Sequence, residues 1–202
     1  LLIAEELGDL PIDEVMRVLV PLGLARIGGE MIVKPSPDAI DDWTHYLHSP
    51  SGNPVANDDL VNPPRQLQWE SAPKWARHHG HLASMNALVS SDGKLFSICD
   101  QVPREAMMLP PEWKLSAHDA FNGLLLWERS IAEWFNHLQP LKSGPASLPR
   151  RLVADQGGVY VTLGIEAQVS VLYSNTGNNV FTFHGSEHRL EFVHFGHPLL
   201  PD

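Results

Sequence analysis

Ala87-Leu88-Val89-Ser90-Ser91-Asp92-Gly93-Lys94-Leu95-Phe96-Ser97-Ile98 is an apolar strand, a turn and a second apolar strand. It returns as Arg151-Leu152-Val153-Ala154-Asp155-Gln156-Gly157-Gly158-Val159-Tyr160-Val161-Thr162. Two apolar runs flanking a short polar turn are the pattern of a β-hairpin.

A second pair follows the first. Lys114-Leu115-Ser116-Ala117-His118-Asp119-Ala120-Phe121-Asn122-Gly123-Leu124-Leu125-Leu126-Trp127 aligns with Gln168-Val169-Ser170-Val171-Leu172-Tyr173-Ser174-Asn175-Thr176-Gly177-Asn178-Asn179-Val180-Phe181. Gly123 and Gly177 fall where the turn needs positive φ. Two hairpins make a four-stranded unit. Pairing Gly93 with Gly158 and Gly123 with Gly177 spaces the two units like propeller blades with variable insertions.

Outside these hairpins the chain is also turn-rich. Its 202 residues include 17 prolines and 15 glycines, with 43% apolar and 19% charged residues. That composition suits a globular core built from many short elements, so the expected fold is mainly β. The net charge of −10 repels a phosphate backbone and no basic stripe offsets it, so no nucleic-acid partner is expected. No apolar stretch is long enough for a membrane span. Cys99 is the single cysteine, which excludes an internal disulfide; in the run Leu95–Cys99 it reads as a small buried hydrophobe.

The first 34 residues read differently. Leu1–Ala4 suits a strand, Pro11–Leu19 a helix with Asp13 and Glu14 in its first turn and Ile12, Val15, Met16 and Leu19 on one face, and Leu24–Ile27 another strand. This is a short α/β segment. The run Asp13-Glu14-Val15-Met16-Arg17-Val18-Leu19-Val20-Pro21-Leu22-Gly23 resembles the late helix and turn of class I methyltransferases. No glycine-rich loop for S-adenosylmethionine accompanies it, so methyl transfer is not expected.

The repeated hairpins, each followed by Asp or Asn, a Gly and a terminal aromatic, resemble the blades of quinoprotein-like β-propellers. Trp127 stands at the place of their terminal Trp, and Phe181 replaces it in the second copy. The runs Asp41-Asp42-Trp43-Thr44-His45-Tyr46-Leu47-His48 and Arg77-His78-His79-Gly80-His81 are similar to those of planctomycete-type members of this group, some of which carry a methyltransferase-like segment ahead of the propeller. The implied organisation is a methyltransferase-like remnant over 1–34, a linker and aromatic, histidine-rich lead-in over 35–86, two blades over 87–184, and the start of a third blade over 185–202. Two blades cannot close a ring, so the expected partners are the remaining blades or other protein chains. By analogy with exported propellers the resemblance implies a periplasmic or other extracytoplasmic home.

Four kinds of site come into question: a quinone site, a metal site, a sugar-stacking face and an acid–base pair. The resemblance implies pyrroloquinoline quinone with calcium, a flat tricarboxylate needing an aromatic platform and cationic clamps; Trp75, Arg77 and Arg104 are the candidates, with Asp100 or Asp119 as the carboxylate for the metal. The adjacent-cysteine pair of many alcohol-oxidising quinoproteins is excluded by the single Cys. The cluster His78, His79 and His81, with Met85 following and His45 and His48 upstream, suits copper or zinc by ligand type but by no defined spacing. The structural reading is preferred for all of these: loop histidines bonded to backbone, Trp75 and Met85 in the core, Trp113, Trp127 and Trp134 filling gaps between blades instead of stacking on sugars, and Asp119 capping its turn instead of pairing with His118 in acid–base work. The expected function is a noncatalytic scaffold or ligand-binding module, part of a larger protein. The alternatives are part of a quinone-dependent oxidoreductase or a histidine-cluster metal-binding protein, and neither quinone nor metal is expected.

Overall fold

A computed structural model describes residues 1–61, 63–71, 84–103, 109–134 and 147–183. The chain divides into two compact units, Leu1–Asp41 with Asn57–Gln68, and Asp42–Ala56 with Trp69–Asp202.

In the first unit, β1 (Leu2–Ala4) lies parallel to β2 (Leu24–Ile27), Leu2 opposite Ala25 and Ala4 opposite Ile27. Parallel neighbours need a crossover, and α1 (Ile12–Val18) supplies it. Pro11 stands in extended conformation just before the helix, which ends with Leu19 N–H donating to the Val15 carbonyl. The Lys34 ammonium donates to the Leu19 carbonyl at 2.6 Å, a cation at the negative end of the helix dipole. Val15, Leu19 and Ala25 are buried among Leu2, Met16, Ile27 and Ile32. Ile12, expected on the same face, is 43% exposed: it is the first residue of the helix and takes no part in this cluster. A third strand, β3 (Glu30–Val33), was not expected; it folds back on β2 through Gly28 and Gly29.

The second unit holds two four-stranded antiparallel meanders. The first runs β4 (Met85–Ser91), β5 (Lys94–Asp100), β6 (Trp113–Asp119), β7 (Leu125–Ser130) in spatial order. The second runs β8 (Leu152–Asp155), β9 (Gly158–Thr162), β10 (Val169–Tyr173), β11 (Asn179–Thr182). With the short α/β segment this is the mainly β architecture expected, the two sheets being blades of propeller type.

The first hairpin of each sheet turns on two residues of positive φ, Asp92 (52°) with Gly93 (69°) and Gln156 (48°) with Gly157 (77°), as a type I′ turn requires. The counterpart of Gly93 is therefore Gly157. The sequence pairing with Gly158 was one residue out of step, because Gly158 is already in β9 opposite Asp155.

Strand alternation makes one face of each blade meet the other. Val89, Phe96, Ile98, Leu115 and Ala117 of the first blade share a buried core with Leu152, Ala154, Val159, Val161 and Leu172 of the second. Trp113 and Trp134 lie in that core and Trp127 packs against it, the gap-filling role expected of all three. Burying Trp134 completely costs no polar group, because its Nε1 donates to Asn86 Oδ1 at 2.6 Å.

Two further devices tie the unit together. The segment Asp42–Thr44 runs along both β4 and β8: Ser90 N–H donates to the Trp43 carbonyl, Ala154 N–H to the Thr44 carbonyl, Trp43 N–H to Ser90 Oγ, and Asp92 N–H to an Asp42 carboxylate oxygen. Backbone groups of the first strand of each blade are thus paired by this strap instead of being left open. The second device is a tryptophan hook. Trp69 Nε1 donates to the Ala120 carbonyl at 2.9 Å with its ring against Gly123, and Trp127 Nε1 donates to the Ser174 carbonyl at 2.8 Å with its ring against Gly177. In both glycines a Cβ would come within 2.6 Å of the indole, so only glycine admits the ring.

Candidate functional site

Trp75, Arg77, Arg104, His78, His79 and His81 lie outside the described residues. Among the described residues no group of three or more His, Cys, Asp or Glu side chains is placed to hold a metal ion, and no helix is long and apolar enough to cross a membrane.

The other carboxylates and histidines singled out above are placed, and backbone chemistry accounts for them. Asp119 Oδ1 accepts from the N–H groups of Phe121 and Asn122, capping the β6–β7 turn as expected. Asp100, 2% exposed, accepts from Val102 and Glu112 N–H, closing the loop between β5 and β6. His45 and His48 face each other in an isolated antiparallel bridge, and His48 packs edge-on against Trp43. Met85, expected in the core, is 54% exposed; it opens β4 ahead of a bulge, where the alternation turns it away from the sheet interior. Cys99 is buried, and burial with Asp100 next to it pushes its thiol up to about 12, so no thiolate is available for chemistry.

His118 has the surroundings of a reactive imidazole without the full constellation. Its Nε2 lies 2.8 Å from Ser71 Oγ, and its ring stacks on Trp69 with centroids 6.4 Å apart and planes at 17°. Burial holds it below the ordinary histidine value, partly offset by the Glu128 carboxylate. A serine nucleophile needs its histidine oriented through the other ring nitrogen by a third group. No described residue bonds His118 Nδ1, and the Glu128 carboxylate is engaged by Lys114, Gln101 and Ser116. The Ser71–His118 contact therefore serves to pin the approach of the chain to the first blade.

A cleft of about 430 Å3 lies between β7 and the β10–β11 turn, lined by Trp127–Ser130 and by Thr176–Asn179. Trp127 and Arg129 stand opposite Ala117 and Leu115, both core residues, so their side chains are on the face that meets the second blade, while Glu128 belongs to the other face with Ser116. Arg129 Nη1 donates to the Gly177 carbonyl at 3.0 Å, and no carboxylate among the described residues pairs with it. The sequence reading missed Arg129. The available signal was its position two residues after Trp127, a cation in the inward series of an alternating strand.

The fold thus defines a mainly β chain that holds two propeller-type blades and a small α/β unit, and no assembled catalytic constellation among the described residues. No protein-family model matches the chain, and no curated protein matches it. Among solved structures it is similar to a europium-containing methanol dehydrogenase, at 19% identity and a TM-score of 0.32, covering 56% of this chain and 18% of that one. A likeness of that size, over less than a fifth of the other chain's length, bears on neither ligand nor reaction.

Proposed function

We propose that this chain is a noncatalytic propeller-type scaffold or ligand-binding module within a larger quinoprotein-like repeat protein. The observation that carries the reading is the repeated hook. Trp69 docks on the turn of the first blade, Trp127 docks on the turn of the second, and Phe181 stands opposite Val171 as Trp127 stands opposite Ala117. The last strand of the first blade thus holds the turn of the second, and Phe181 occupies the equivalent place on the last strand of the second blade, where its ring could pack on a further turn. On this reading residues 87–184 are two repeats, 185–202 open the next, 35–86 lead in, and 1–34, by sequence resemblance alone, are a methyltransferase-like tail.

The competing reading is a quinone-dependent oxidoreductase, which would use Trp75, Arg77 and Arg104, or a metal site at His78, His79 and His81. Elemental analysis and an absorbance spectrum of the purified, untagged protein separate the two, together with dye-coupled oxidation assays after adding pyrroloquinoline quinone and calcium. A scaffold gives neither stoichiometric metal nor quinone absorbance nor turnover. Stoichiometric quinone or metal, or turnover lost on mutating Arg77, overturns it.

A further inference from the structure

The cleft beside β7 has a feature that a cleft between two blades does not need. Among the described residues β7 pairs with β6 alone. Ile131 N–H donates to the Trp113 carbonyl, and with Leu115 opposite Arg129 and Ala117 opposite Trp127 this fixes the hydrogen-bonded pairs at Trp127, Arg129 and Ile131. The N–H and C=O of Glu128 and Ser130 therefore point away from β6, and no described group bonds them. Glu128 and Ser130 are among the residues that line the cleft. Just before them Leu124, Leu125 and Leu126 are 64%, 49% and 39% exposed, an apolar run at the start of an unpaired edge. Just inside is Arg129, with one N–H used on Gly177 and no carboxylate partner among the described residues, in a chain of net charge −10 whose acidic groups outnumber its basic ones.

We infer that the outer edge of β7 is a docking site for an extended segment of a partner protein, apolar at one end and carrying a carboxylate side chain that Arg129 receives. The segment adds a strand: its backbone bonds the N–H and C=O of Glu128 and Ser130, its apolar residue covers Leu124 and Leu126, and its carboxylate accepts from the remaining guanidinium N–H groups, with Thr176 and Asn178 at the far wall of the cleft. Trp127 and Gly177 keep their packing throughout. The unpaired edge supplies affinity that is blind to sequence, and Arg129 supplies the selectivity. This goes beyond the scaffold reading and does not depend on how many further blades exist.

The test titrates the purified full chain with the blocked peptide acetyl-Val-Thr-Leu-Thr-Glu-Thr-amide and with its Glu-to-Gln counterpart. The readouts are calorimetry and backbone amide shifts. The glutamate peptide should bind about tenfold more tightly than the glutamine one, the difference expected when a charge-assisted pair is lost. Its shifts should centre on Glu128 and Ser130. Arg129→Gln should remove the difference between the peptides. Ser130→Pro deletes an N–H that β6 does not use, so the blade should stay folded by near-ultraviolet circular dichroism while both peptides lose affinity. Four outcomes overturn the inference: no binding at millimolar peptide, shifts elsewhere, equal binding of the two peptides, or acetate giving the same shifts as the glutamate peptide. Self-association that Ser130→Pro abolishes would give the edge to a second copy of this chain and also overturn it.

Discussion

Trp127 lies flat against Gly177: a Cβ built on that glycine would stand 2.6 Å from the indole Cε3, while the indole Nε1 donates to the Ser174 carbonyl at 2.8 Å. The same relationship joins Trp69 of the lead-in to Gly123, so both blade turns are held by an indole from the chain preceding them.

Gly177→Ala should accordingly destabilise the protein by more than its backbone conformation explains. Gly52 is the internal control, since its φ of +69° matches the +68° of Gly177 and no atom lies within 4 Å of its missing Cβ. Gly52→Ala should cost about 1 kcal/mol for the left-handed conformation alone. Gly177→Ala should cost a further ~1–3 kcal/mol for overpacking against a ring that cannot retreat. Urea unfolding of the two variants measures the difference, and equal costs would mean that the ring is not held there.

The two inter-blade tryptophans should respond differently to loss of the indole N–H. Ser174 is buried but Trp127 is only half-buried, so in Trp127→Phe water can reach the carbonyl along the ring and about 1 kcal/mol is expected. Trp134 is fully buried and its partner Asn86 is 8% exposed, with an Nδ2 that already lacks a partner among the described residues. Trp134→Phe strands the Asn86 carbonyl as well, and about 2–3 kcal/mol is expected. Denaturant midpoints check the order, and a larger loss at Trp127 would contradict it.

The blades were legible because their information is local. Apolar runs on either side of a polar turn in Ala87–Ile98 and Arg151–Thr162 mark the strands, and a positive-φ glycine marks each turn, so all eight strands fall where the sequence places them. The α/β unit was read for the same reason, except for β3, whose four residues Glu30–Val33 follow a Gly-Gly turn too closely to show a period of their own. What depends on distant partners did not show. Trp43 and Thr44 look like an irregular aromatic segment until Ser90 and Ala154 are beside them, and Trp69 gives no sign of Gly123, 54 residues on by count of position. Met85 was misread because a bulge breaks the alternation at that end of β4. Arg129 went unnoticed because the sequence does not say which strand ends as an edge.

Cys99 should behave as an inert core atom. Its thiol is buried and raised to about 12, so between neutral pH and pH 9 it remains protonated and inaccessible in the folded chain. Labelling with a thiol-reactive dye at pH 8 should proceed only as fast as the protein opens and become rapid in urea. Fast, complete labelling of native protein would show that the β5 end of the blade is open.

His118 should make the second unit less stable in acid. Burial lowers its folded-state value below the ordinary 6.5, while the Glu128 carboxylate pulls the other way. Between the folded and unfolded values the unfolded chain binds more protons, so stability falls as pH falls there. The contribution of neutral His118 is complete above 6.5 and is lost as pH drops through the folded value. His118→Asn should therefore flatten the fall in urea midpoint between pH 7.5 and pH 5, even if it lowers stability at both. Glu128→Gln should depress the His118 value further, because it removes the charge that favours the imidazolium and leaves the burial in place. Imidazole proton shifts across a pH titration, assigned by their loss in His118→Asn, report the folded value directly. A value at or above 6.5, or an upward move in Glu128→Gln, would show that His118 is not held neutral by its burial between Trp69 and the blade.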